Sequence, residues 1–255
     1  MLQLLPSHKK NSLIVFVHGL LGFEAITFPG VSIHYFRKLE QHLSSIEIPI
    51  LFPHLPSVGT IAERAKQLAA SLAPYKEKDI YLIGHSMGGL DSRYFIHNYD
   101  EQKQVRVLAT VGTPHRGTSL ASWFSDDNSL LAKIGRSITR PALFDLTPEA
   151  CRRFNEQVPN RPDVRYLSYA GYRPVSEMPP LTRPWARRVQ EIEGDNDTQV
   201  PVSSATWGEF HQQVRADHFE LVGWNFSLPN RKTSRPFDHL TFYEEIVRKV
   251  LHMKV

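Results

Sequence analysis

The sequence predicts an α/β fold: a mainly parallel, doubly wound sheet in one domain spanning residues 1–255, with a small helical cap or lid inserted around residues 117–155. Three observations lead there. Short apolar runs alternate with segments of helical periodicity, the pattern of parallel strands buried on both faces by crossover helices. The apolar run 80–83 feeds into Gly84-His85-Ser86-Met87-Gly88, after which Leu90, Tyr94 and Phe95 recur at helical spacing. Residues 119–155 then break this rhythm where a short connection would suffice, so they read as an insertion over the top of the sheet.

In chain order, residues 13–17 form an apolar strand ending at His18-Gly19, and residues 48–52 form a second. Ile61, Ala65, Leu68, Ala69 and Leu72 make one helical stripe that stops before Pro74. Strands follow at 80–83, 105–111 and 164–169, a late one is expected at 189–192, and a terminal helix covers 240–251. Within the insertion, Leu120, Trp123 and Phe124 share one helical turn. Leu130, Leu131, Ile134 and Ile138 repeat at helical spacing beyond the polar stretch 125–129. This apolar face needs a partner in water and predicts a cap or lid, with Leu120, Trp123, Phe124 and Leu131 on its inner side, over the turn at Ser86. There are no repeats, low-complexity tracts or linkers.

Composition bounds the function classes. A chain of 255 residues with 41% hydrophobic and 22% charged residues can bury one large core. No apolar run approaches the roughly 18 residues of a membrane-spanning helix. Residues 1–10 lack the basic start and apolar core of a signal peptide, and the single Cys151 can close no internal disulfide. The expectation is a reducing, cytoplasmic setting, or export without a cleaved signal. The net charge of +4 gathers partly at Arg183, Arg187 and Arg188 and at Arg231, Lys232 and Arg235, which form a solvated basic face or a peripheral contact with an anionic lipid surface. No nucleic-acid motif accompanies the charge, so nucleic acid is not an expected partner.

A serine hydroxyl is a weak nucleophile at neutral pH, and G-x-S-x-G between a strand and a helix is the arrangement that exposes it to a base and a substrate. Gly84 and Gly88 remove Cβ atoms that would crowd the turn. With Ser86 as nucleophile, the expected chain order is serine, acid, histidine. Asp197 is preferred as the acid because Asn196-Asp197-Thr198-Gln199 is a polar turn beyond the expected late strand, and Asp195 is its nearest rival. Position within helices or beside the nucleophile sets aside His85, His97, His239 and His252. His115, His211 and His218 remain, of which His218 lies in a polar loop entering an apolar segment. The oxyanion would be held by the backbone N–H of Met87 and a second one from His18-Gly19-Leu20-Leu21-Gly22, namely Leu20.

Four motifs fall in one order: VHGLLGFE at 17–24, IGHSMGG at 83–89, VGTPHRGT at 111–118 and NDTQVP at 196–201. Together they resemble the bacterial true lipases, the triacylglycerol lipases of the Pseudomonas and Burkholderia type within the α/β-hydrolases. The resemblance implies Ser86, Asp197 and His218 as the triad, Leu20 and Met87 as oxyanion donors, and a lipid or ester substrate hydrolysed with no required cofactor. Short soluble esters or thioesters are the alternative substrates, and a non-catalytic binding module is the alternative class. The secreted relatives carry a signal peptide, usually a disulfide, and a longer lid. They also hold a structural calcium through two aspartates, one of them two residues after the histidine. Glu220 stands at that position and is the implied calcium ligand here.

Overall fold

The protein is described by a computed structural model covering residues 11–22, 25–28, 31–126, 141–226 and 237–253. Its frame is a six-stranded sheet of β1 (Ser12–Val17), β4 (Ile50–Leu51), β5 (Asp79–His85), β6 (Val105–Val111), β7 (Arg165–Gly171) and β8 (Glu209–Val214). The strands lie in the order β4-β1-β5-β6-β7-β8, and every pairing is parallel. A separate antiparallel hairpin joins β2 (Ala25–Phe28) to β3 (Val31–His34).

Alternation along β1 shows why both faces are covered. Ile14 and Phe16 point into a core shared with α1 (Leu39–His42) and α7 (His239–His252), through Leu39, Tyr243, Ile246 and Val250. Leu13, Val15 and Val17 point the other way, against α2 (Ile61–Leu72) and α3 (Met87–Asn98), through Ala65, Leu68, Phe95 and Ile96. Full burial of each such aliphatic side chain is worth about 1.5–3 kcal/mol, so the central strands are fixed from two sides. A reciprocal cap at Thr60 and Glu63 starts α2.

The expected elements hold with three differences. The strand expected at 48–52 is reduced to Ile50–Leu51, since Pro49 and Pro53 on either side lack the N–H a ladder needs. The strand expected at 189–192 is instead the end of helix α6 (Arg183–Glu193). Ala186 and Val189, three apart, are its buried residues, and Arg187, Arg188 and Gln190 are exposed. The strand that follows is β8, whose sequence EFHQQV has no apolar run because it lies at the sheet edge, paired only with β7.

Strand order decides where a ligand can enter. From β1 the chain goes outward to β4 on one side and then returns to β5 on the other, so the connections diverge between the carboxyl ends of β1 and β5. Such a divergence leaves a crevice at the strand ends. The loop His18–Gly22 and the turn at Ser86 both open into it. Above them lie α4 (Ser119–Asp126) and α5 (Pro148–Gln157) of the insertion. Ala121 from α4 and Cys151 from α5 pack with Leu146 on Met87 and Leu90 at the start of α3.

Candidate active site

Ser86 sits between the last residue of β5 and the first of α3, at φ 54° and ψ −131°. A non-glycine residue there is strained by about 1–3 kcal/mol and persists only where the surroundings enforce it. Two glycines do so by close backbone approach. A Cβ on Gly84 would meet Gly89 Cα at 2.7 Å, and one on Gly88 would meet the His18 carbonyl oxygen at 2.7 Å. The first turn of α3 is therefore seated directly on the ends of β5 and β1.

Ser86 Oγ lies 3.0 Å from His218 Nε2, and His218 Nδ1 lies 2.7 Å from Asp197 Oδ2. Asp197 is 1% exposed and His218 5%, so both interact with little water between them. The second carboxylate oxygen, Oδ1, accepts from the Gln199 and Val200 N–H groups at 3.0 and 2.8 Å. With Oδ2 acting as an acceptor, the proton of neutral His218 belongs on Nδ1, which leaves the Nε2 lone pair facing the serine hydroxyl. The two loops also touch through their backbones, as the His218 N–H donates to the Asp197 carbonyl at 2.6 Å.

Met87 directly follows Ser86, and Leu20 packs against the apolar cluster that contains Met87. Neither N–H makes a backbone hydrogen bond among the described residues, whereas the neighbouring Leu21 N–H donates to Ser57 O at 2.6 Å and Gly22 N–H to Gly19 O at 3.1 Å. The loop is pressed against the nucleophile, for a Cβ on Gly19 would meet Ser86 Cβ at 2.8 Å. Two free backbone donors beside a serine with a basic partner can stabilise negative charge on an oxygen bound to the attacked carbon.

Comparison with known proteins gives the chain a family and a fold. The family model described as a domain of unknown function, DUF7379, matches residues 3–156. The chain belongs to that family. Among curated relatives, this DUF7379 chain is 30% identical to "Triacylglycerol lipase 2" of Saccharomyces cerevisiae over 211 residues, which is 78% of this chain and 65% of that lipase. It is 31% identical to a "Triacylglycerol lipase" of Vibrio cholerae over 42% of this chain and 34% of the relative. The matched region thus spans about two thirds of the first relative and one third of the second. Among solved structures, the mature lipase BlEst2 of Bacillus licheniformis superposes with a TM-score of 0.72 at 20% identity, covering 96% of this chain and 93% of that one. The fold of this DUF7379 chain is that of the α/β-hydrolases.

The alternatives left open by spacing fall elsewhere. Asp195 is exposed, and its carbonyl accepts from Val202 N. His115 is buried against Thr110 Oγ1 at 3.0 Å and stacked on Trp207, away from the serine. His211 lies on β8, and its side chain is outside the described residues. His85 is closer to the site than its place in the elbow implies. Its ring centroid is 4.6 Å from that of His218, and its Nδ1 is 2.8 Å from Tyr35 Oη. Burial, and secondly the charge His218 would carry, hold the His85 pKa well below the usual imidazole value, so it stays neutral beside the base.

Of the expected lid residues, Leu120 is buried, and Trp123 and Phe124 are half-buried; Leu131 lies outside the described residues. The α4 helix is held along α6: Glu193 accepts from the Ser119 N–H at 2.9 Å, Phe124 packs edge-on against Trp185, and the Arg188 guanidinium lies 5.4 Å from the Trp123 ring. No helix among the described residues is long and apolar enough to cross a membrane.

Glu220 has both carboxylate oxygens committed within the protein, to Arg173 Nε at 2.5 Å and Nη2 at 2.9 Å and to the Asp217 N–H at 3.0 Å. A guanidinium already stands where a bound cation would face the carboxylate. No cluster of three His, Cys, Asp or Glu suited to a metal occurs among the described residues. As arranged, Glu220 does not fit the calcium expected from its position. Its charge, after burial itself, helps push the Asp217 carboxyl up to about 7.

Sequence reasoning missed Arg64 and Asp91. Both are fully buried, with Arg64 Nε 2.8 Å from Asp91 Oδ2 and Nη2 donating to the His18 carbonyl at 2.6 Å. Arg64 also donates to the Pro56 carbonyl. The pair ties α2 and α3 to His18, where the loop presenting Leu20 begins, and to Pro56 in the segment between β4 and α2. The available signal was a charged residue set inside the apolar stripe of α2, next to Ala65.

Proposed function

We propose that this chain is a serine hydrolase of carboxylic esters, acting as a lipase on acyl esters of the triacylglycerol type through an acyl-enzyme. The observation that carries this reading is the continuous contact from Ser86 Oγ to His218 Nε2 (3.0 Å) and from His218 Nδ1 to Asp197 Oδ2 (2.7 Å), beside the open Leu20 and Met87 donors. His218 takes the Ser86 proton as Oγ attacks the ester carbonyl. Asp197 fixes the imidazole tautomer and stabilises the imidazolium. The Leu20 and Met87 N–H groups bind the oxyanion of the tetrahedral intermediate. His218 then returns the proton to the departing alcohol, leaving the acyl group on Oγ. Water deprotonated by the same imidazole attacks this ester and releases the carboxylic acid. Every proton is accounted for by His218, so these steps need no cofactor. The named relatives support a lipid substrate, and the Pseudomonas and Burkholderia resemblance is part of this reading.

A second reading, an esterase for short soluble acyl groups, is favoured by one observation. The contacts of α4 with Glu193, Trp185 and Arg188 make that helix a wall rather than a hinged flap. One experiment tests both readings: hydrolysis of p-nitrophenyl esters from short to long chain by wild type and Ser86→Ala. Loss of a serine nucleophile costs about 10⁶ in kcat. Ser86→Ala should therefore abolish turnover and fluorophosphonate labelling with the melting temperature retained. A mutant keeping a tenth of the wild-type rate sinks the assignment, and a rate that falls steadily with chain length selects the esterase.

A further inference from the structure

The acid and the base reach Ser86 on two separate loops, and a third segment lies between them. β7 ends at Gly171, where a Cβ would meet Asp197 Cβ and the Ala216 carbonyl oxygen, both at 2.9 Å. The next residues are bonded to the acid loop and to the strand that leads into the histidine loop. Tyr172 N–H donates to Val214 O at 2.8 Å, and Arg173 N–H donates to Asn196 O at 3.2 Å, immediately before Asp197. The Arg173 side chain then crosses to the histidine loop and grips both oxygens of Glu220.

Glu220 is itself half of a reciprocal pair around His218. Its Oε2 accepts the Asp217 N–H at 3.0 Å, while Asp217 Oδ1 accepts the Phe219 and Glu220 N–H groups, each at 2.9 Å. This is the logic of a capping box, closed over a single turn that starts at the histidine. The Arg173 and Glu220 side chains are 3% and 6% exposed, so the fork is shielded from solvent. Glu177, bonded to Arg173 at 3.4 Å and to Arg215 on the outer side, extends the network to the surface.

We propose that Arg173 and Glu220 form a positioning clamp: one guanidinium, tied by its backbone to the acid loop and by its side chain to the turn carrying His218, sets the distance between Asp197 and His218. The proposal rests on the triad reading above and adds to it residues that touch neither substrate nor nucleophile. A planar two-pronged donor suits this role because it fixes orientation as well as distance. Lysine would keep the charge and lose the orientation.

The test uses the full chain and the variants Arg173→Met, Arg173→Lys and the doubly neutral Arg173→Met/Glu220→Gln. Four quantities are measured with and without EDTA: melting temperature, kcat and KM on a short soluble p-nitrophenyl ester, and the low-field proton resonance of the His218 to Asp197 hydrogen bond. Misplacement of a reacting group by about 1 Å costs roughly 10²-fold. Arg173→Lys should thus remain folded, lower kcat roughly 10- to 100-fold with KM within about twofold, and broaden or shift the resonance. The double variant should recover thermal stability relative to Arg173→Met, since no buried charge is left alone, without recovering kcat or the resonance. If Arg173→Met does not fold, Arg173→Lys and the double variant carry the test. The clamp is overturned if Arg173→Lys keeps wild-type kcat and resonance. It is equally overturned if EDTA abolishes the wild-type resonance and calcium restores it. Failure of the triad reading looks different: wild type would neither turn over esters nor label at Ser86, while the resonance would still report on the clamp.

Discussion

At the nucleophile end of the crevice, position is enforced by backbone against backbone; at the acid and histidine end it is enforced by side-chain charge. Ser86 is trapped because Gly84 lies on the first turn of α3 and Gly88 lies on the end of β1, and neither contact can be relieved by a change of rotamer. Asp197 and His218 stand on loops joined by one backbone hydrogen bond, the imidazole to carboxylate contact and the Arg173 to Glu220 fork, and two N–H groups of its own loop hold the Asp197 carboxylate. The strained residue, Ser86, belongs to the rigid end. In the proposed mechanism His218, which carries the proton, and Asp197, which answers its charge, belong to the end held by hydrogen bonds. The Arg64 and Asp91 pair brings charge to the rigid end, but only fully buried, as a brace between helices.

The largest expected effect after loss of Ser86 lies at the charge-held end. Asp197→Asn should lower kcat by about 10⁴-fold with KM little changed, because the amide favours the wrong imidazole tautomer. Asp195→Asn, on an exposed side chain, should cost less than about twofold. Equal losses measured by steady-state kinetics would leave the acid unassigned and erase the contrast between the two ends.

Next in size is the buried brace. Removing one partner strands the other in a dry interior, so Asp91→Leu should destabilise by about 3–5 kcal/mol in denaturant unfolding. Arg64→Met/Asp91→Leu should recover much of that loss, since two apolar side chains replace the pair. Its kcat should nonetheless stay depressed, because the His18 and Pro56 carbonyls have lost their donor. Full recovery of kcat in the double variant would show that the brace serves stability alone.

A smaller effect tests the steric end directly. Gly88→Ala adds one methyl against the His18 carbonyl, and overpacking of this kind costs about 1–3 kcal/mol. The shift should displace Ser86 and lower the rate of fluorophosphonate labelling more than it changes KM. Unchanged labelling would mean that the turn has slack.

The smallest effect is a dependence on pH. His18 is buried, and its pKa is lowered to about 4, first by desolvation and then by the Arg64 charge. Its ordinary value is 6.5, so between 6.5 and 4 the unfolded chain takes up a proton that the folded chain refuses. The stability it lends is complete above 6.5 and declines as the pH falls towards 4. His18→Asn should flatten the slope of unfolding free energy against pH in that window by up to about 1.4 kcal/mol per pH unit. An unchanged slope would mean that His18 takes up its proton at the same pH in the folded and the unfolded chain.

Features that depend on local chain pattern were legible without coordinates. The elbow announced itself because a strand, two glycines about a serine and a helix must follow one another in sequence. The central strands did so because burial on both faces requires unbroken apolar runs. The edge strand β8 and helix α6 were not legible: an edge strand needs no apolar run, and the buried Val189 looks alike in a helix or a strand until its neighbours' exposure is known. Asp197 and His218 were chosen from short sets of polar loop residues by chain order and family resemblance. That choice says nothing of their spacing, which depends on where β7 and the two loops converge. Arg64, Asp91, Arg173 and Glu220 are ordinary charged residues in the sequence. Burial gives them roles, because a charge out of water needs a partner and each partner here comes from a distant part of the chain. Sequence alone thus determined the sheet centre and the strand, serine turn and helix beside it, all carried by local pattern. Tertiary structure decided which buried ions brace which loops, since that depends on contacts between residues no periodicity relates.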